Sequence, residues 1–145
     1  MKVKECMTQN VLYCNPNATI AEAAGLMNQN QVGCIPVCNT ENNVVGILTD
    51  RDITLRSVAC GKDANNTSVS EIMTTKIYCC DYNDEITTVA QAMGKTGIRR
   101  MPVTSNGKLV GILSIGDFAK HENISSEYVG TTLEDICNCT NKNAR

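Results

Sequence analysis

Apolar positions along the chain follow two alternating rhythms, and the whole pattern occurs twice. Ile20, Ala23, Ala24 and Met27 recur at i, i+3, i+4 and i+7, the spacing of one helix face. Just before them Thr19 and Glu22 have the spacing of a capping box, which predicts a helix start. Ile86, Val89, Ala90 and Met93 repeat the stripe, and because the polar residues between have changed, the stripe reads as a core-facing side. Ahead of each helix a β-prone run, residues 10–14 and 76–80, predicts a short strand. After each helix come Cys34-Ile35-Pro36-Val37 and Arg100-Met101-Pro102-Val103, apolar runs broken by a proline that lacks a ladder donor. Polar residues 39–43 and 104–108 then predict hairpin turns into returning strands at 44–48 and 109–113. A second helix is expected to open at Thr49-Asp50-Arg51-Asp52 and at Ser114-Ile115-Gly116-Asp117, in the first copy running to Cys60 with Gly61 as its stop.

The order β-α-β-β-α therefore appears twice. Landmarks are offset by 66 positions at Met7/Met73 and by 65 at Gly46/Gly111, which marks a tandem duplication. Half a chain, about 65 residues, is marginal as an independent fold, so the copies are expected to fold as one unit. The predicted class is mixed α/β of the α+β type, with two tandem repeats packed face to face in pseudo-two-fold symmetry and paired sites in the cleft between them. Expected boundaries are 1–60 for the first repeat, 61–68 for a polar linker, 69–122 for the second repeat and 123–145 for a tail. Leu133-Glu134-Asp135-Ile136-Cys137 echoes the lead-ins Val3-Lys4-Glu5-Cys6-Met7 and Val69-Ser70-Glu71-Ile72-Met73, which predicts a tail docked as a short helical turn. Residues 138–145 carry no large apolar anchor and are expected to fray.

Composition narrows the function. A net charge of −2, a sequence pI near 5.4, one Phe and no Trp lack the basic and aromatic footprint of a nucleic-acid binder. No apolar run spans a bilayer and the first residues lack a signal-peptide h-region, so a cytoplasmic protein without membrane association is expected. The nine cysteines fall at several core-like positions and read as free thiols acting as small hydrophobes. Cys137-Asn138-Cys139 has no His and no companion at zinc-ligand spacing, so no metal is expected. The single His121 reads as an exposed helix-end residue. With no Gly-rich phosphate loop and no nucleophile–base pairing, neither a catalytic residue nor a catalytic cofactor is expected.

The lead-in Met-Thr, the Ile-Pro-Val and Met-Pro-Val strands, and above all Val-Gly-Ile-Leu-Thr-Asp-Arg-Asp and Val-Gly-Ile-Leu-Ser-Ile-Gly-Asp resemble the cystathionine beta-synthase (CBS) domain. The resemblance runs from about Val3 to Lys120, in two ordered copies, the arrangement called a Bateman module. It implies regulatory binding of adenosine-containing ligands such as AMP, ADP, ATP, NAD or S-adenosylmethionine in the inter-repeat cleft. It also implies a homodimer and an effector protein that reads the ligand state. Arg100, and after it Arg99, just before the Met-Pro-Val strand, are marked by the resemblance as phosphate contacts, the alternative being that these arginines form a solvated surface face. Apolar walls for adenine are implied at Val11, Tyr13, Ile35, Ile47, Ile77, Met101 and Ile112.

The corner motif has its own physical logic. Thr49 or Ser114 at a strand end, with Asp52 or Asp117 three residues on, aims a hydroxyl and a carboxylate at one spot, and a carboxylate can accept from both hydroxyls of a ribose. The adjoining helix N-terminus suits phosphate, and Arg51 between two acids adds a cation there. Gly46 and Gly111 are expected to admit a ligand ring close to the strand. The alternative is that Thr49 and Ser114 cap their helices and the acids merely stabilise helix starts. Three functions follow: an adenosine-ligand sensor, a CBS-pair assembly module that binds no ligand, and, least supported, a thiol redox enzyme.

Overall fold

The computed structural model describes residues 1–139, which divide into two units: Leu12–Ile77, and Met1–Val11 together with the chain from Tyr78 onward. The class is mixed α/β, with two small sheets.

In the Leu12–Ile77 unit, α1 (Ile20–Asn30) starts with the expected box: Thr19 Oγ1 accepts the Glu22 N–H at 3.1 Å while Glu22 accepts the Thr19 N–H at 3.3 Å. Ile20, Ala23 and Met27 are buried, so the stripe is the core face. β1 (Cys34–Cys38) and β2 (Val44–Thr49) pair antiparallel, with a bulge at Val37/Cys38. The expected first strand is reduced to one parallel bridge, Cys14↔Val37, with Cys14 N–H on Pro36 O and Cys38 N–H on Cys14 O. Extending that ladder backwards needs a donor from residue 36, and proline has none. α2 (Asp50–Asp52) passes directly into a π-helix, Ile53–Val58, and Gly61 takes φ +67° beyond it. The polar stretch 61–68 is tied to the start of α1, where Ala64 O and Thr67 O accept from Ala21 and Ile20. Ile35, Val37, Leu48, Val69 and Ile72 close the core with the α1 stripe.

The other unit repeats the plan. β3 (Cys80–Asp81) is two residues long and runs parallel to β4 (Arg100–Ser105), where Pro102 imposes the same limit as Pro36. α3 (Ile86–Thr96) buries Ile86, Val89, Ala90 and Met93 as expected. β4 turns into β5 (Lys108–Ser114) through Asn106-Gly107, both at positive φ, the geometry of a tight type I′ hairpin. α4 (Ile115–Lys120) follows. The tail departs from expectation: it forms a 13-residue helix, α5 (Ser126–Asn138), packed on α3 and α4. Gly94 permits this, because a Cβ there meets Asp135 Cβ at 2.9 Å. Asn138 closes that helix, and the rest of the stretch expected to fray, from 140 on, lies outside the described residues.

The lead-ins are exchanged. Residues Val3–Glu5 form a 3-10 turn whose Val3 is fully buried with Val103, Leu113 and Phe118 of the second repeat. Val69–Glu71 form the matching turn in the Leu12–Ile77 unit. Two backbone bonds join Thr8 to Ile112, at 2.9 and 3.0 Å, and two join Thr74 to Ile47, at 2.9 and 2.8 Å.

Candidate functional site

Each unit presents the same strand-to-helix corner. Thr49, in extended backbone at the end of β2, accepts the Asp52 N–H on Oγ1 at 3.0 Å, and Asp52 Oδ2 accepts the Thr49 N–H at 3.1 Å. Ser114 and Asp117 do the same at 3.2 and 2.8 Å, and the Ser114 hydroxyl also donates to Asp117 Oδ2 at 3.1 Å. The capping reading thus describes these side chains in both copies, and removing such a cap costs about 1 kcal/mol. The structure brings together the hydroxyl and carboxylate named from sequence.

Two further hydroxyls reach the same acids. Thr74 Oγ1 lies 3.3 Å from both oxygens of Asp52, and Thr8 Oγ1 donates to Asp117 Oδ1 at 2.9 Å. Neither was singled out from sequence as a site residue; the signal was the repeated Met-Thr dipeptide at Met7-Thr8 and Met73-Thr74. The same exchange corrects the reading of the two glycines. A Cβ on Gly46 would lie 2.6 Å from Met73 Sδ and 3.1 Å from Thr74 O, and one on Gly111 would lie 2.8 Å from both Met7 Sδ and Thr8 O. They make room for the lead-in segments, and the space read as a ligand-ring approach is filled by protein.

The cations are placed unequally. Arg100 stands directly across from Ser114 in the ladder, and Arg99 O accepts the Ile115 N–H at 3.1 Å, so both exposed arginines sit at the Asp117 corner. At the other corner Cys34 faces Thr49 and Gly33 O accepts the Asp50 N–H at 2.9 Å, with the Asp50 carboxylate over Gly33. Arg51 is exposed beside an open depression lined with Asp50, Thr54 and Leu55. Arg56, not singled out from sequence, donates from Nη1 to Ile72 O (3.2 Å) and Met73 O (3.3 Å), and its Nε is 3.8 Å from Asp52 Oδ1. The matching position of the second repeat is His121, whose Nδ1 accepts the Asn123 N–H. The helix starts offer less to phosphate than the sequence promised: α2 and α4 are short, and the N–H groups of Asp52 and Asp117 already have hydroxyl acceptors.

The residues named as adenine walls scatter. Ile35 and Met101 are enclosed in the two cores, and Tyr13 is 55% exposed. Val11 and Ile77 are half-buried. Ile47 and Ile112 lie two residues before the corner hydroxyls, paired with Pro36 and Pro102. In strand alternation Ile47 is on the face opposite Leu48 and the core.

Of the cysteines, Cys14, Cys38 and Cys80 are buried. Burial, with Cys38 as neighbour, pushes the Cys14 thiol up to about 11, and burial beside Asp84 pushes Cys80 up to about 12. Cys6, which donates to Asp117 O, is raised to about 11 by burial and by the Asp117 charge. Among the described residues no group of three or more His, Cys, Asp or Glu could hold a metal, and no helix is long and apolar enough to cross a membrane.

A family model described as "CBS domain" matches residues 3–58 and again 69–123. "CBS domain-containing protein YhcV" of Bacillus subtilis is 44% identical over 135 residues, covering 92% of this chain and 94% of its own. A crystal structure of Hypoxic Response Protein I with two coordinated zinc ions is 32% identical, covering 83% of this chain and 98% of that one, with a TM-score of 0.77. The CBS domain pair of protein MJ0100, in complex with 5-methylthioadenosine and S-adenosyl-L-methionine, is 26% identical and covers 83% and 94%, with a TM-score of 0.72.

Proposed function

As the chain belongs to the CBS domain family, with two copies in tandem, we propose that it is a regulatory module that binds adenosine-containing ligands and signals their presence to a partner protein. The observation that carries this reading is the strand-to-helix corner built twice with the same hydrogen bonds. At each corner a carboxylate with about four lone-pair sites is held by backbone and hydroxyl donors, and a site left over can accept a ribose hydroxyl. Thr49 Oγ1 accepts the Asp52 N–H and keeps its own proton for another acceptor. The related pair that carries S-adenosyl-L-methionine and 5-methylthioadenosine supports the ligand class.

The charges divide the two corners. Arg99 and Arg100 beside Ser114 and Asp117 suit the phosphates of AMP, ADP, ATP or NAD, through charge-assisted hydrogen bonds. The Asp50 carboxylate over Gly33 opposes phosphate at the Thr49 corner and favours an uncharged or cationic adenosine derivative such as S-adenosylmethionine, with Arg51 left to solvent or to the partner. Exposed Leu55 and Val58 on the π-helix offer an apolar strip for a homodimer contact, which is also the surface an assembly module without ligand would use. A regulatory role in the cytoplasm with no catalysis of its own completes the reading.

Calorimetric titration with AMP, ATP, NAD and S-adenosylmethionine tests it. The expected outcome is saturable binding that weakens at least tenfold, about 1.4 kcal/mol, in Asp52→Ala or Asp117→Ala. Silence with all four ligands favours the assembly module instead.

A further inference from the structure

Two threonines from the exchanged lead-ins hold the corner carboxylates, and the docking of those lead-ins does not require them to. Each lead-in is already fixed by two backbone bonds and by a methionine seated on a glycine. Arg56 adds two bonds to Ile72 O and Met73 O in one unit. What the threonine hydroxyl adds is a donor to the acid: Thr74 on Asp52 at 3.3 Å, Thr8 on Asp117 at 2.9 Å. A hydroxyl has one proton to give, and here it comes from a backbone position that cannot drift. The second donor, the Thr49 or Ser114 N–H, reaches Oδ2 from the corner itself. Asp52 is 7% exposed and Asp117 is half-buried.

We propose that Thr8 and Thr74 are positioning residues. Each fixes the orientation of its aspartate, so that the corner selects a ribose with a free 2′-hydroxyl over the 2′-deoxy analogue. This rests on the ligand reading above. A buried acceptor aimed at a hydroxyl is left unpaired when that hydroxyl is missing, which is how a polar site rejects an analogue. A carboxylate free to rotate still attracts the ligand but re-pairs elsewhere, and the discrimination fades.

The test is calorimetric titration of the full chain with AMP and with 2′-deoxy-AMP. It compares the parent with the Thr8→Val/Thr74→Val double variant, which keeps the side-chain shape but lacks the donor, and with Thr8→Ser/Thr74→Ser, which restores the donor. Thermal unfolding is recorded alongside. The parent is expected to prefer AMP by about tenfold or more, the valine variant by less than about threefold, and the serine variant by nearly the parental ratio. An unchanged ratio in the valine variant overturns the proposal. So does an equal loss of affinity for both nucleotides with a lowered melting temperature, which marks a purely structural role. A parent that binds both equally overturns it while leaving the ligand reading intact; a parent that binds neither overturns it too, and the ligand reading then stands or falls on the titrations with ATP, NAD and S-adenosylmethionine.

Discussion

A methyl group on Gly111 would sit 2.8 Å from the Thr8 carbonyl oxygen, a backbone atom pinned by its own hydrogen bond from Ile112. Something must shift, and the backbone shifts expensively. Gly111→Ala is therefore expected to destabilise by about 1–3 kcal/mol, seen as a lower urea midpoint with an unchanged slope. Gly46→Ala should cost less, because its nearest obstacle is the far end of Met73, with Thr74 O at 3.1 Å. Residues three apart, such as Thr49 and Asp52, were legible as a pair because one turn of helix brings them together whatever the fold. The threonines that complete each corner were not, since 22 and 109 residues separate them from their aspartates and spacing carries no information at that range. For the same reason the glycines were recognised as crowded positions while the identity of the crowding group was missed. Ile35 and Met101 sit in strands broad enough to face either way, and alternation placed them inward.

Among the elements, the helix stripes and hairpins were readable because their periods are intrinsic to the backbone. The first strands were overestimated: β propensity at 10–14 and 76–80 is real, but the neighbouring strand presents a proline where the next donor is needed. The tail helix α5 was underestimated, because Gly130 and two threonines lower its local propensity while Thr132 and Ile136 are buried only through tertiary packing on α3 and α4. α3 itself begins without a side-chain cap, and Glu85 ahead of it pairs instead with Lys2 Nζ at 2.5 Å. The Lys2 hydrogen bond, first, and the amino terminus hold the Glu85 carboxyl below the usual value of 4.5. A depressed folded-state value means the contribution is present above pH 4.5 and disappears as pH falls through the lower folded value. The parent and Glu85→Gln are expected to differ slightly in thermal midpoint at pH 7, with the parent higher, and to converge as pH falls below the lowered folded-state value and the carboxyl protonates. Glu85 is exposed, so the difference is small, and salt should shrink it further.

At the scale of the molecule, the sequence repeats and the structural units do not share boundaries. The Leu12–Ile77 unit is one continuous stretch, whereas its counterpart joins Met1–Val11 to the chain from Tyr78 onward. The duplication was legible; the exchange was not, because lead-ins that share Val, Glu and Met at matching positions look equally suited to either repeat. Val3 gives the direct measurement. It is fully buried against the second repeat, so Val3→Ala is expected to cost about 2 kcal/mol and to lower amide protection in α3, β4 and β5. Loss confined to α1, β1 and β2 would instead assign the lead-in to its neighbour in sequence.

The exchange of lead-ins also sets an order of events during synthesis. A chain leaving the ribosome has every residue of the Leu12–Ile77 unit once Ile77 emerges, whereas Met1–Val11, made before that unit, must wait for partners as far along as Ile112 and Asp117. A segment synthesised before the Leu12–Ile77 unit thus settles after it, still searching while its neighbour in sequence is already closed.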